Sequence, residues 1–202
     1  TVYGTLLNFR REWDLWAPRM TQDPHKAAPK APVLYVKTAN TFSPAGQDLL
    51  LQDGVTEVDI GATLGLVIGR HGEVAAAALL NDWAVPHASY YRPPVKFRCR
   101  DGFLALPDQV TPGQVQDWCA LQITVSRNGE VVQTVDLREL MRSMPALLAD
   151  VGDFMTLQPG DVLMVGTNCL ADGSRPRARA GDRVAISAPG LACVVTAVGV
   201  PA

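Results

Sequence analysis

This sequence is short of several things, and each shortage excludes a class of protein. No apolar run approaches the roughly 20 residues that cross a bilayer as a helix, so no membrane span is expected. Thr1-Val2-Tyr3-Gly4 is not a charged region followed by an apolar core, so no signal peptide is read there. Charge is scarce, at 19% of residues, and nearly balanced, with a net −2. A nucleic-acid binder or a binder of anionic membranes would carry a strong positive field instead. The four cysteines (Cys99, Cys119, Cys169 and Cys193) stand far apart and form no Cys-x-x-Cys. That removes the zinc knuckle and the thioredoxin motif and leaves reduced thiols in a cytoplasmic protein as the expectation. Only His25, His71 and His87 are available to activate a cysteine. Cys99 lies between Arg98 and Arg100, which would lower its pKa if it were exposed. The competing reading is an apolar filler on the inward face of a strand.

What remains is the composition of a folded domain. The apolar share is 48%, and 202 residues suffice for one well-cored unit. There is no internal repeat. Glycine and proline are spread along the whole chain, as in many short elements joined by turns. Val33–Lys37, Leu64–Ile68, Val162–Val165, Arg183–Ser187 and Ala192–Val198 read as strands. Leu121–Ser126 and Val131–Val135 flank Asn128-Gly129, a strong hairpin signal. One helix is clear: Ser143 is its N-cap, Pro145 sits in the first turn, and Leu147, Leu148, Val151, Phe154 and Met155 recur at helical spacing as a core stripe. A weaker helix is read near Trp13–Met20. Met20–Lys37, punctuated by Pro24, Pro29 and Pro32, reads as a surface loop, and residues 15–32 as either a lid or a plain connector. Strands outnumber helices without strict alternation. The fold class is therefore α+β, mostly β, in a single domain over 1–202.

The densest chemistry lies in Tyr90-Tyr91-Arg92-Pro93-Pro94-Val95-Lys96-Phe97-Arg98-Cys99-Arg100-Asp101. Arg92, Lys96, Arg98 and Arg100 suit the carboxylates of a small, multiply charged anion, arginine through bidentate contacts. They equally suit acids of a partner subunit, or solvent. Lys96 and Arg98, two apart, would share a face if the segment were a strand.

The order of motifs points further. Leu7-Asn8-Phe9-Arg10, Pro32-Val33-Leu34-Tyr35-Val36-Lys37, Leu66-Val67-Ile68-Gly69-Arg70, Leu80-Asn81-Asp82, Arg100-Asp101-Gly102, Asn128-Gly129-Glu130, Phe154-Met155-Thr156-Leu157 and Gly166-Thr167 follow one another along the whole chain. This series resembles the fumarylacetoacetate hydrolase family. Within it, Tyr91-Arg92-Pro93, Cys99-Arg100-Asp101-Gly102-Phe103 and Pro24-His25-Lys26-Ala27 look like the N-terminal half of the branch that decarboxylates and isomerises in homoprotocatechuate (4-hydroxyphenylacetate) breakdown. The resemblance implies a β-roll with a few peripheral helices and a Mg2+ or Mn2+ held by a Glu-x-Glu pair and the Asp of an Asn-Asp step. It implies a multi-carboxylate substrate, 5-oxopent-3-ene-1,2,5-tricarboxylate, and a homo-oligomer or a hetero-oligomer with a homologous subunit. A hard cation chelated by a 2-oxo acid stabilises the enolate left by decarboxylation or proton loss.

Set against that pattern, the chain departs. The Glu-x-Glu pair falls on Gly61 and Thr63, and only Asp82 survives as a metal ligand, so the chain either carries a Mg2+ or Mn2+ site or has none of its own. Glu57 and Asp59 would reach the place of the pair only by a strand slip that exchanges faces. The family's lysine falls on Arg98, with Lys96 nearby and Asp101 retained, and these three are the catalytic candidates. The lid histidine falls on Glu12 and its partner glutamate on Leu15. Arg92, Arg100, Tyr91, Thr167 and His25 are the substrate-binding candidates. The alternative is a catalytically silent partner of a metal-bearing homologous subunit, with Asp82 kept as a hydrogen-bonding residue. A small-anion regulatory module is a third reading.

Overall fold

The structure is a computed structural model that describes residues 1–88 and 95–201. The candidates Tyr91 and Arg92 lie outside the described residues. In chain order the elements are β1 (Val2–Leu6), α1 (Arg10–Met20), β2 (Val33–Lys37), β3 (Phe42–Ser43), β4 (Leu49–Leu50), β5 (Val58–Asp59), β6 (Ala62–Ile68) and β7 (Val74–Asp82). Then come α2 (Val95–Arg98), β8 (Leu104–Ala105), β9 (Thr111–Pro112), α3 (Val115–Trp118), β10 (Gln122–Arg127), β11 (Glu130–Asp136), α4 (Met144–Gly152), β12 (Val162–Met164), β13 (Arg177–Ala178), β14 (Arg183–Ser187) and β15 (Val194–Gly199).

Two sheets carry the fold. The larger runs β2-β1-β12-β6-β7-β8-β3, with β9 also paired to β7; the smaller runs β11-β10-β14-β15-β4. A short ribbon joins β13 to β5. Both faces of β6 are covered, so Ala62, Leu64, Leu66 and Ile68 are buried and so are Thr63 and Gly65. Leu64, Leu66, Leu79 and Phe9 of the large sheet's side join Ile123, Val125, Val135 and Ile186 of the small sheet in the main core. At about 25 cal/mol per Å² of apolar surface, each such side chain contributes roughly 1.5–3 kcal/mol on burial. A second cluster on the other side packs Leu6, Tyr35, Leu80, Leu104 and Met164, with Trp13 and Trp16 of α1 partly buried against it.

The mostly β, α+β expectation holds. β2 and β14 have the predicted bounds, and the hairpin closes through Asn128 and Gly129, both at positive φ (54° and 88°). The longest strand, β7, was not predicted. Its Ala-Ala-Ala-Ala-Leu-Leu run has weak β-propensity, and pairing with β6 along its length decides it. α4 is capped as expected by Ser143, whose hydroxyl accepts from the Ala146 amide at 3.4 Å. Its stripe is shorter than predicted. The helix ends at Gly152, so Phe154 leaves the helical register and stands 60% exposed, while Met155 packs beneath α4.

Candidate functional site

The segment from 95 onward corrects the sequence reading most sharply. Residues 95–98 form one helical turn and not a strand, so Lys96 and Arg98 point to different sides. Lys96 is exposed and Arg98 is fully buried. Cys99, just past that turn, is half-buried and donates weakly to the Val36 carbonyl; it does not fill a strand's inward face. Arg100 reaches the Lys96 carbonyl at 3.1 Å and Gln52 at 3.0 Å, and Asp101 is exposed and accepts from Asn40 at 2.7 Å. Lys96, Arg98 and Arg100 therefore do not converge, because the helical turn at 95–98 and the chain leaving it send them to different sides where a strand would have aligned them.

Arg98 goes instead to Asp82, the retained acid at the end of β7. Its guanidinium stands 2.5 Å from Asp82 Oδ2, and the Lys37 ammonium 2.9 Å from Oδ1. The Tyr35 hydroxyl donates to Oδ2 as well. Lys37 also donates to the Phe103 carbonyl at 2.8 Å and to the Arg98 carbonyl. β2 places Tyr35 and Lys37 two apart on one face, toward β7. Tyr35 lies across Gly4 of β1, its register partner; a Cβ on Gly4 would stand 2.0 Å from the ring. The guanidinium also packs over the Tyr35 ring, 5.1 Å from its centroid.

Electrostatics follow from this enclosure. Burial alone would raise the Asp82 carboxyl, but the Lys37 and Arg98 charges and the hydrogen bonds of Tyr35 and Lys37 outweigh it and hold Asp82 below the usual carboxylate range. Burial pushes the Tyr35 hydroxyl well up, and the Asp82 charge adds to it. Burial lowers Lys37 against the pull of Asp82, and the like charge of Arg98 adds to it. Both ends of the ion pair thus move down, which favours the charge on Asp82 and disfavours it on Lys37. Asp82 faces two cations and Lys37 faces one acid, so Asp82 reports the net attraction.

The acids and cations expected or available elsewhere do not rebuild a metal site. Gly61 closes on β7: its amide donates to Asn81 Oδ1 at 2.9 Å, and its carbonyl accepts from the Asp82 amide at 2.9 Å. A Cβ there would stand 2.1 Å from the Asp82 carbonyl oxygen. Glu57 pairs with Arg177 and Arg179, and Asp59 with Arg177 at 3.2 Å. Among the described residues no three of His, Cys, Asp or Glu stand together as metal ligands. The family's ion, with its oxygen-rich shell, does not fit this donor set.

A cavity of about 470 Å³ opens nearby, between α1 and the 172–177 segment, its walls including Trp16, Arg19, Asp59, His87, Arg175 and Arg177. That volume suits a small-molecule site. Arg175 is oriented by Glu12, 2.5 Å away, and by the Thr167 hydroxyl, which accepts from it at 3.0 and 3.2 Å. Glu12 in turn accepts from the Leu7 amide at 3.2 Å. Leu15, where the family's lid glutamate would stand, lines the cavity. Burial raises the Asp59 carboxyl against the pull of Arg175 and Arg177, and burial lowers His87. His87 stacks on Phe97 at 4.7 Å, and its Nδ1 meets the Val85 carbonyl at 2.8 Å. Of the sequence candidates, Thr167 stands behind this cavity, and His25 rests edge-on against Trp16 at 5.9 Å. Sequence reasoning missed Arg175 and Arg177. The available signal was the alternation Arg175-Pro176-Arg177-Ala178-Arg179, which puts cations on one side of a strand.

Fold and site together define a fumarylacetoacetate-hydrolase-like unit. The chain matches the fumarylacetoacetate (FAA) hydrolase C-terminal family over residues 1–199, and it belongs to that family. It is 34% identical over 201 residues to the 4-hydroxyphenylacetate degradation bifunctional isomerase/decarboxylase of Salmonella dublin, covering 95% of this chain and 45% of that one. The homoprotocatechuate catabolism bifunctional isomerase/decarboxylase of Escherichia coli is 32% identical over the same shares. The chain thus spans about half the length of the curated relatives it matches. In fold it is similar to 5-carboxymethyl-2-hydroxymuconate delta-isomerase from Mycobacterium smegmatis, with TM-score 0.78, 20% identity, and 100% and 79% of the two chains covered. It is also similar to fumarylpyruvate hydrolase from Pseudomonas aeruginosa, solved with Mn2+ and pyruvate, with TM-score 0.77, 21% identity, and 99% and 89% covered. Among the described residues no helix is long and apolar enough to cross a membrane.

Proposed function

We propose that this chain is one of two homologous units of a cytoplasmic isomerase/decarboxylase of 4-hydroxyphenylacetate breakdown, acting on 5-oxopent-3-ene-1,2,5-tricarboxylate and its decarboxylated product. The observation that carries the reading is identity of 32–34% over 95% of the chain to bifunctional enzymes about twice its length. The single domain over 1–202 is then one half of the working protein, and residues 15–32 are the lid of its cavity. In this reading Arg19, Arg175 and Arg177 meet substrate carboxylates, and the neighbouring Asp59 and His87 carry protons. A divalent ion, as in the Mn2+-bound neighbour, belongs to the partner unit. Asp82, with two cations already on it, favours a second reading: the chain is a silent partner that supports a metal-bearing homologue.

The test is turnover of the tricarboxylate, followed as CO2 release, by the metal-bearing homologous unit with and without this chain. A cavity role requires that Arg177→Gln lower turnover of the pair by about tenfold or more while the pair still forms. Full turnover with Arg177→Gln, but lower turnover without the chain, leaves the silent-partner reading. Turnover indifferent to the chain overturns both.

A further inference from the structure

The surroundings of the Lys37 ammonium are those of a bound cation. Three oxygens face it: Asp82 Oδ1 at 2.9 Å, the Phe103 carbonyl at 2.8 Å and the Arg98 carbonyl. The side chains of Lys37 and Asp82 are both 0% exposed. Three N–H bonds to three oxygens use the whole donor capacity of an ammonium. The oxygens come from β7 and from both sides of the 98–103 turn, while the lysine comes from β2. The cation therefore ties two strands of the large sheet to a segment that belongs to neither. Metal sites bind a fold in the same way, by drawing distant oxygens onto one charge.

We propose that the Lys37 ammonium is a tethered cation in an oxygen cage and that, with the Arg98 guanidinium on the other oxygen of Asp82, it holds this region together without a divalent ion. The acid that remains of the family's ligand set is then a counter-ion, and its two partners complete its charge balance without metal. Gly61 supports this independently. Its close approach to the Asp82 carbonyl leaves no room for a side chain, so an acid cannot stand there without moving β7. The charge balance and the backbone packing thus exclude the ion for separate reasons.

The experiment measures thermal unfolding and titration calorimetry on the chain, using Mn2+ as the metal and ethylammonium as the free analogue of the lysine head. For the natural sequence, melts in EDTA and in Mn2+ are expected to agree within about 1 °C, because a ligand that does not bind the native state cannot shift it. Saturable one-to-one Mn2+ binding with a raised Tm overturns the proposal. Lys37→Ala removes the tethered charge and leaves the cage. Its Tm is expected to fall by about 6 °C or more and to rise again by about 2 °C or more in ethylammonium. Tetramethylammonium at equal ionic strength, which has no N–H to donate, gives no such rise. Rescue of Lys37→Ala by Mn2+ and not by ethylammonium, or by neither, overturns the cage. If Lys37→Ala does not fold, the Mn2+ response of the natural chain decides the matter alone.

Discussion

Asp82→Asn is the change that most directly tests how this region is held. The asparagine keeps the size of the side chain and loses the charge. Lys37 and Arg98 then remain buried, both within about 1% of full enclosure, with no acid between them. Breaking a buried ion pair by removing one partner costs about 3–5 kcal/mol, because a desolvated charge is left uncompensated. Two cations share this acid, so the upper part of that range is expected. Against a total stability of about 5–15 kcal/mol this is a large fraction. For a chain of this length it corresponds to a Tm lower by roughly 6–20 °C. Trp83, fully buried and adjacent to Asp82, supplies the optical signal for urea unfolding. Lys37→Met in the Asp82→Asn background should recover part of the loss, since one unpaired cation is gone and an apolar side chain of similar length fills the space. A loss below about 1 kcal/mol, or one that appears only when metal is present, would refute the idea that Asp82 serves as a buried counter-ion.

Four further outcomes follow from the packing and the titrating groups. Gly61→Glu places a Cβ 2.1 Å from the Asp82 carbonyl oxygen; it should cost about 1–3 kcal/mol or more through overpacking and create no saturable Mn2+ binding by calorimetry. Leu66→Ala, in the main core at 0% exposure, should cost about 2–5 kcal/mol. Phe154→Ser, at 60% exposure, should stay within about 0.5 kcal/mol by urea unfolding. The depressed Asp82 and His87 both make acid destabilising. In each the folded state releases its proton more readily than the unfolded chain, so stability is complete above the unfolded value. It is lost as pH falls below about 6.5 for His87 and below about 3.9 for Asp82. His87→Gln should flatten the first phase of a stability-versus-pH profile and leave the second.

Much of the fold was legible because it is written in local pattern. The hairpin needed Asn128-Gly129, the α4 cap needed Ser143, and β2 and β14 are apolar runs between turn residues; each signal is carried by neighbours in sequence. β7 was not legible, since alanines make a strand only when β6 supplies the partner. The family was legible as well, because eight short motifs in order survive although each alone is weak. The departure at Gly61 and Thr63 was visible in the same alignment of motifs.

What the sequence could not contain was which charge meets which. Lys96, Arg98, Arg100 and Asp101 are neighbours in the chain, yet the helical turn at 95–98 and the chain leaving it send them to solvent, to Asp82, to Gln52 and to Asn40. Lys37 and Asp82, 45 residues apart, meet only because β2 and β7 belong to one sheet. Glu12 and Arg175, 163 apart, meet only because α1 packs beside the 172–177 segment. By itself the sequence determined the family, the fold class and the loss of two metal ligands, since these are properties of residue type and order. Only the tertiary structure decided that the surviving acid is enclosed by cations and that Arg175 and Arg177, from the last third of the chain, meet Arg19 of α1 at one cavity, because Coulomb energy depends on distance in space, which long-range packing alone sets.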